Sequence, residues 1–240
     1  MNEKSNVKKR FGVWKDNIIK VTGEAVWSYT VMVLTHWNAL RNEDKTFLSF
    51  KTTSIKGRND GYIAPYGKTP LDDEITAQNI YMSILHQAND YCYISTPYLV
   101  IDTDMINTLI LAAKSGVDVR ILTPGIPDKR IVNMITKSYY SQLIQGGVKI
   151  IEYTPGFNHS KVFVADDIIA TVSTINLDYR SLYLHFENGT YIYHFKVIKD
   201  IKNDLVEAMN EGHEITLQEC QNGLIKTFLL ALLRLIAPLI

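Results

Sequence analysis

Cysteine is scarce in this chain: Cys92 and Cys220 lie far apart, and Cys92 sits between tyrosines in a strand-like run. Two such residues offer no disulfide framework and fit a reducing compartment. An excess of either charge is lacking too, because 25 basic residues balance 25 acidic ones. A balanced chain has no long-range pull on a polyanion, so nucleic acid is not an expected partner. The polar, basic start around Lys8-Lys9-Arg10 has no apolar core behind it, so it reads as a frayed terminus and not as a signal peptide. No run is long enough to span a bilayer. The nearest, Gly223 to Ile240, is eighteen residues interrupted by Lys226 and Arg234 and broken by Pro238. On a helix its polar residues form one narrow stripe, which suits either a membrane interface or packing on its own lobe. No internal repeat is evident.

What is present suffices for a globular core: 240 residues, 46% apolar and 21% charged. Strand and helix signals alternate. A strand is expected over Asn17–Val21 and a helix over Ala25–Asn38, followed by a turn-rich boundary between Asp60 and Pro70. Asp72 or Asp73 is a candidate cap for a helix running to Asn89. Then come a strand (Tyr91–Ser95), a helix ended by Gly116, a strand (Val117–Leu122), a helix (Lys129–Gln145) and a strand (Val148–Tyr153). This pattern predicts an α/β sandwich, a mixed β-sheet flanked by helices. Trp14, Trp27 and Trp37 are spaced like separate core positions, and Tyr91, Tyr93 and Tyr98 like strand packing.

Within this frame His159-Ser160-Lys161, with Asp166 five residues beyond the lysine, forms an H-x-K-x4-D motif that occurs once. The nearest second copy, His194-Phe195-Lys196, has Asp200 one position too early. Lys161–Ala165 and Ile168–Ser173 read as two strands joined by a turn at Asp166-Asp167. Side chains alternate along strands, so the hairpin is expected to put His159, Lys161, Thr174 and Asn176 on one face. An imidazole, an ammonium, a hydroxyl and a carboxamide suit a phosphate. A neutral imidazole attacks phosphorus to form a phosphohistidine, and Lys161, Thr174 and Asn176 steady the non-bridging oxygens. The leaving alkoxide still needs a proton, and a second histidine from elsewhere is its natural source.

The stretch from Asn158 to Glu187, NHSKVFVADDIIATVSTINLDYRSLYLHFE, resembles the second HKD segment of the phospholipase D superfamily, and Asn176-Leu177-Asp178-Tyr179-Arg180-Ser181 is most similar to bacterial cardiolipin synthases. Thr96-Pro97-Tyr98, Ala112–Arg120, Gly147–Tyr153 and Arg234–Ile240 resemble further landmarks of that family in the same order. Phe11–Asp16 with Gly23–Trp27 resembles the stretch that follows the family's first HKD motif. Ser173 stands where a glycine is usual, and His185 where an asparagine is usual.

The resemblance implies a phospholipase D-like sandwich comprising the tail of a first lobe (residues 1–65), one complete second lobe (66–222) and an apolar C-terminal helix (223–240). It implies catalytic roles for His159, Lys161 and Asp166, with Glu187 orienting the histidine and Lys161, Thr174 and Asn176 binding phosphate. No metal or cofactor is implied. The implied activity joins two phosphatidylglycerols into cardiolipin plus glycerol, peripherally on the cytoplasmic side of the cell membrane, with a second HKD lobe as partner. Two other expectations stand beside it: a non-catalytic lobe that binds lipid or a partner lobe, and a homodimeric phosphodiesterase in which symmetry supplies both histidines.

Overall fold

A computed structural model describes residues 10–41, 46–52, 60–70, 74–221 and 223–236. In chain order the elements are α1 (Ala25–Arg41), a 3-10 turn (Phe47–Phe50), β1 (Tyr62–Lys68), α2 (Thr76–Gln87), β2 (Tyr91–Ser95), β3 (Leu99–Val100), α3 (Thr103–Lys114), β4 (Asp118–Pro124), α4 (Arg130–Gln145) and β5 (Lys149–Tyr153). They continue with β6 (Val162–Ala165), β7 (Ile169–Ser173), β8 (Leu177–Asp178), a π-helical turn (Arg180–Leu184), β9 (Glu187–Tyr193), α5 (Val197–Asn210), β10 (His213–Glu214) and α6 (Leu224–Ile236). Eight strands form one mixed sheet in the order β1-β9-β7-β6-β2-β4-β5-β10, with β3 and β8 paired apart from it. The chain is therefore an α/β fold with a large mixed sheet.

The central strands β2, β4 and β5 are parallel, and β6 joins β2 antiparallel. A strand covered on both faces has no solvent side, which is why β2 and β6 are buried at every position. On one face pack α2, α3 and α4. In α2 the buried Ala77, Tyr81, Ile84 and Leu85 fall on one helical stripe. Asp102 caps α3 by accepting the Met105 N–H at 2.8 Å. Gly116 and Gly147, at φ +101° and +96°, end α3 and α4 in a backbone conformation that side chains disfavour. On the other face α5 buries Ile198, Leu205, Ala208 and Met209 against Tyr91, Val164 and Ile192.

Several expectations are corrected. The 65/66 division falls inside β1, which pairs with β9 from Tyr62↔Tyr193 to Lys68↔Glu187, so residues 62–65 share the sheet of the motif hairpin. Asn17–Val21 forms no strand, and the neighbouring pairing is a bridge between Lys15 and Asn158. Trp14 and Trp37 are not core residues, being 43% and 44% exposed. The candidate caps Asp72 and Asp73 lie outside the described residues, as do Lys8, Lys9 and Pro238.

Helix α6 rests on α4. Leu230 is buried, and the Arg234 guanidinium donates to Ser138 while lying 4.1 Å from the centre of the Tyr139 ring. Phe228, Leu229, Leu232 and Leu235 remain exposed. No described helix is long and apolar enough to cross a membrane.

Candidate active site

The segment that carries the motif begins where β6 meets the carboxyl end of β2, at the ends of the parallel strands where open α/β sheets place their ligands. Asn158, fully buried, donates to Ser95 Oγ at 2.8 Å and to the Leu122 carbonyl at 3.3 Å. Ser160, equally buried, bonds Ser95 Oγ at 2.8 Å. These satisfied polar contacts lock residues 158–160 and present His159 outward.

A second strip of chain lies alongside. Phe157 N–H donates to Phe11 O at 2.9 Å, Lys15 N–H to Phe157 O at 3.0 Å, and His159 N–H to Lys15 O at 2.8 Å. Lys15 Nζ and Asn17 Nδ2 both bind Asp204 on α5, at 2.8 Å and 2.7 Å, which anchors the strip to the sheet. Asp16 is thereby brought to the imidazole, with Oδ2 at 2.8 Å from His159 Nδ1. Trp14 packs beside the same ring, with centroids 5.2 Å apart. A carboxylate oxygen only accepts, so this contact holds a proton on Nδ1, and in the neutral imidazole the lone pair is then on Nε2.

Lys161 is 7% exposed, and its ammonium donates to the His159 carbonyl at 2.5 Å. Burial pulls its pKa down to about 8, against the opposing attraction of Asp16, Glu187, Asp178 and Asp128. The four carboxylates favour the charged ammonium that burial disfavours, and an anionic ligand beside Nζ would act in the same direction.

Glu187, at the start of β9, accepts from the Thr174 hydroxyl and lies 3.6 Å from His185 Nδ1. Burial holds its carboxyl above the usual range, although Thr174 and His185 act the other way. It does not orient His159 within this chain. Asp16 occupies that position, from the segment 143 residues earlier.

The other site residues also depart from expectation. Asp166 lies at the opposite end of β6, about 16 Å away at 3.3 Å per residue. There its carboxylate accepts from the backbone N–H groups of Asn89, Asp90 and Tyr91 at 2.7, 3.1 and 2.9 Å. It ties the hairpin turn to the start of β2 and stands apart from the reacting groups. The turn itself carries φ +54° at Asp166 and +56° at Asp167, the pair of positive values that suits a tight hairpin. Thr174 spends its hydroxyl hydrogen on Glu187. Asn176 Nδ2 donates to Asp178 Oδ2 at 2.9 Å and to Ser181 Oγ at 3.0 Å, so both amide hydrogens are engaged. Ser173 does not crowd the site: it lies in β7, where its hydroxyl bonds Tyr81 OH at 2.8 Å. The residues that sequence reasoning missed are Asp16, Trp14, Asn158 and Ser160. Phe11–Asp16 had been singled out as a stretch, but nothing local showed that it runs beside His159.

A protein family described as "Cardiolipin synthase, PLD-like domain" matches residues 81–209. An uncharacterised protein of Streptococcus mutans is 46% identical across this whole chain, which covers 52% of that protein. A cardiolipin synthase of Halalkalibacterium halodurans is 34% identical over 88% of this chain and 42% of its own length. The chain thus spans about half the length of the curated relatives it matches. Among solved structures, the phosphatidylserine synthase of Haemophilus influenzae superposes with a TM-score of 0.60 at 16% identity, covering 79% of this chain and 50% of that one. Nuc of Salmonella typhimurium, a phospholipase D family member, gives 0.52 at 18% identity, covering 63% of this chain and 98% of that one. The family match extends over more than half of the chain and takes in the whole of the H-x-K-x4-D hairpin: the chain belongs to the cardiolipin synthase family of phospholipase D-like proteins.

Proposed function

We propose that the chain is the His159-bearing lobe of a phosphatidyltransferase that makes cardiolipin from phosphatidylglycerol. The observation that carries this reading is the His159–Asp16 contact at 2.8 Å, which fixes the tautomer a nucleophile at Nε2 requires. Nε2 attacks the phosphorus of one phosphatidylglycerol, the bond from phosphorus to the glycerol oxygen breaks, and glycerol leaves with a proton from a second histidine. The hydroxyl of another phosphatidylglycerol then attacks the phosphohistidine and gives its proton to the second histidine, so that the P–N bond breaks, cardiolipin forms and both imidazoles are restored. Lys161 offsets the charge on the non-bridging oxygens in both steps. Asp166 acts on this chemistry only through the fold.

The second histidine belongs to another HKD lobe, and residues 10–24 with α1 are read as the tail of that lobe. Glu187 acts on Lys161 electrostatically and holds Thr174, which supports its place in the same site. A lipid substrate supports a peripheral place at the membrane, and the two free cysteines fit its cytoplasmic face. Because the chain holds one H-x-K-x4-D copy, a second reading has a specific basis: a lobe that binds lipid or a partner lobe without turning over.

Incubation of the purified chain with labelled phosphatidylglycerol, alone and with a first-lobe polypeptide of a relative, tests both. Cardiolipin that appears and is lost in His159→Ala supports transfer. Liposome binding with no turnover in either mixture overturns transfer and leaves the inert lobe. Full activity from a monomeric chain would refute the need for a second histidine, and activity confined to a dimer would point to two copies of His159.

A further inference from the structure

Helix α6 is laid on the lobe with its charged side inward. At about 100° per residue, Phe228, Leu229, Ala231, Leu232 and Leu235 fall on one arc of about 160°, and each of them is exposed. Leu230, Leu233 and Arg234 fill the opposite arc, where Arg234 donates to Ser138 of α4 and lies on the Tyr139 ring. A helix on the surface of a water-soluble lobe does the reverse and turns its charge to solvent. The apolar surface continues along α4. Ser138, Met134 and Ile131 follow one another at steps of four and three residues, and Met134 and Ile131 are exposed. Beyond Ile131 stand the exposed cations Arg130 and Lys129, and Lys129 and Val132 line a cavity shared with Asn176, Asp178 and Arg180. Lys129 rests on the Tyr98 ring and Arg180 on His185, neither on a carboxylate. Carboxylates of the neighbouring segments have their own partners: Tyr98 OH for Asp128, Asn176 and the Ser181 N–H for Asp178, Lys137 for Glu152, and His213 with Thr216 for Glu219.

We propose that α6, Met134 and Ile131 form a bilayer-docking face, with the outer arc of α6 among the acyl chains and Lys129, Arg130 and Arg180 at anionic headgroups. Charge and polarity favour lipid over a protein partner. A protein interface carries about one hydrogen bond per 100–200 Å², and the outer arc of α6 offers no side-chain donor or acceptor. Acyl chains ask for none, and a helix satisfies its own backbone. Cations beside an apolar arc match the boundary between acyl chains and charged headgroups. The proposal rests on the phosphatidyl reading above for the presence of a bilayer, and adds which face of the lobe turns towards it. Docked in this way, the α4 stripe leads from the membrane surface to the residues beside the motif hairpin.

The test is flotation of the whole chain with vesicles of mixed phosphatidylserine and phosphatidylcholine, which carry negative charge but no phosphatidylglycerol. The unaltered chain and His159→Ala are expected to bind alike. Leu232→Glu and Leu235→Glu are each expected to weaken binding about tenfold or more, the order of effect for one leucine no longer buried. Arg130→Ala is expected to weaken it about fivefold. Phe228→Trp adds an indole to the outer arc, and lipids brominated along the acyl chain are expected to quench the added fluorescence. That variant keeps an exposed position apolar, so it decides the matter if the glutamate variants disturb the helix. Undiminished binding in both glutamate variants, an added indole untouched by bromine, or no binding by the unaltered chain overturns the proposal. A dimer that Leu232→Glu splits while vesicle binding persists gives the face to a second copy and overturns it as well. Turnover of monomeric short-chain phosphatidylglycerol with the first-lobe polypeptide needs no bilayer, so it judges the phosphatidyl reading separately from the face.

Discussion

Replacing Asp16 by asparagine exchanges one carboxylate oxygen for an NH2 group and tests the central contact of the site. The carboxylate accepts from His159 Nδ1 at 2.8 Å, with the two side chains 43% and 38% exposed. A hydrogen bond of this kind to a charged group contributes about 1.5–3 kcal/mol, and exposure argues for the lower end. Loss of orientation alone, as in Asp16→Ala, is therefore worth roughly tenfold in the rate of attack, at about 1.4 kcal/mol per tenfold. Asparagine goes further, because its amide donates to Nδ1 and drives the proton to Nε2, where the lone pair is needed. A wrong tautomer behind a buried aspartate in a serine protease costs about 10⁴-fold, so a loss of 10²–10³-fold is expected at this more exposed contact. NMR of the ¹⁵N-labelled imidazoles reads the cause directly and needs no turnover. In the unaltered chain above the imidazole titration, His159 is expected to show a protonated Nδ1 and a bare Nε2, and Asp16→Asn is expected to reverse them. An unchanged tautomer in Asp16→Asn would refute the assignment of Asp16 as the group that prepares the nucleophile.

Lys161 is expected to titrate near pH 8, seen as one lysine resonance that moves in that range and is absent in Lys161→Met. Its folded pKa lies below the unfolded value of about 10.4, so the unfolded chain binds more protons between them and stability rises with pH across that window. The urea midpoint of the unaltered chain should climb relative to Lys161→Met from pH 8 to 10, and parallel curves would contradict the burial of the ammonium. Asp166→Ala frees three backbone N–H groups and is expected to cost about 2–4 kcal/mol in urea unfolding. A change below about 0.5 kcal/mol would show that the carboxylate does not hold the turn to β2. Gly189→Ala places a Cβ 2.2 Å from Tyr66 Cζ, and a loss of about 1–3 kcal/mol is expected. A smaller cost of Gly189→Ala in a Tyr66→Ala background, where the whole ring is gone, would confirm the clash, and an unaltered midpoint in Gly189→Ala would refute it.

Much of the fold and of the site was legible because its signals are local. The hairpin of β6 and β7 announces itself through short apolar runs and the Asp166-Asp167 turn, and the helices from α2 to α4 through apolar stripes and terminal glycines. What local signals omit is which of several partners a polar group takes. Thr174 and Asn176 have the right types for a phosphate, yet Glu187, Asp178 and Ser181 claim their donors. Asp166 belongs to the motif by spacing, but the rise of a strand carries it away from the lysine. Asp16 was invisible because no periodicity connects it to His159: backbone bonds between residues 11–15 and 157–159 and the anchoring of Lys15 and Asn17 on Asp204 bring it there. The strand β1 was hidden for a related reason: its pairing with β9 runs straight through the turn formers around Pro65.

The distance in sequence between Asp16 and His159 also sets a clock. During translation at about 5–20 residues per second, the 143 positions between them take roughly 7–30 s to be added. Throughout that interval the carboxylate exists without its imidazole, and a nascent chain released early carries no prepared nucleophile. Competence for attack waits longer still, because Asp204, which anchors Lys15 and Asn17, is added only after His159.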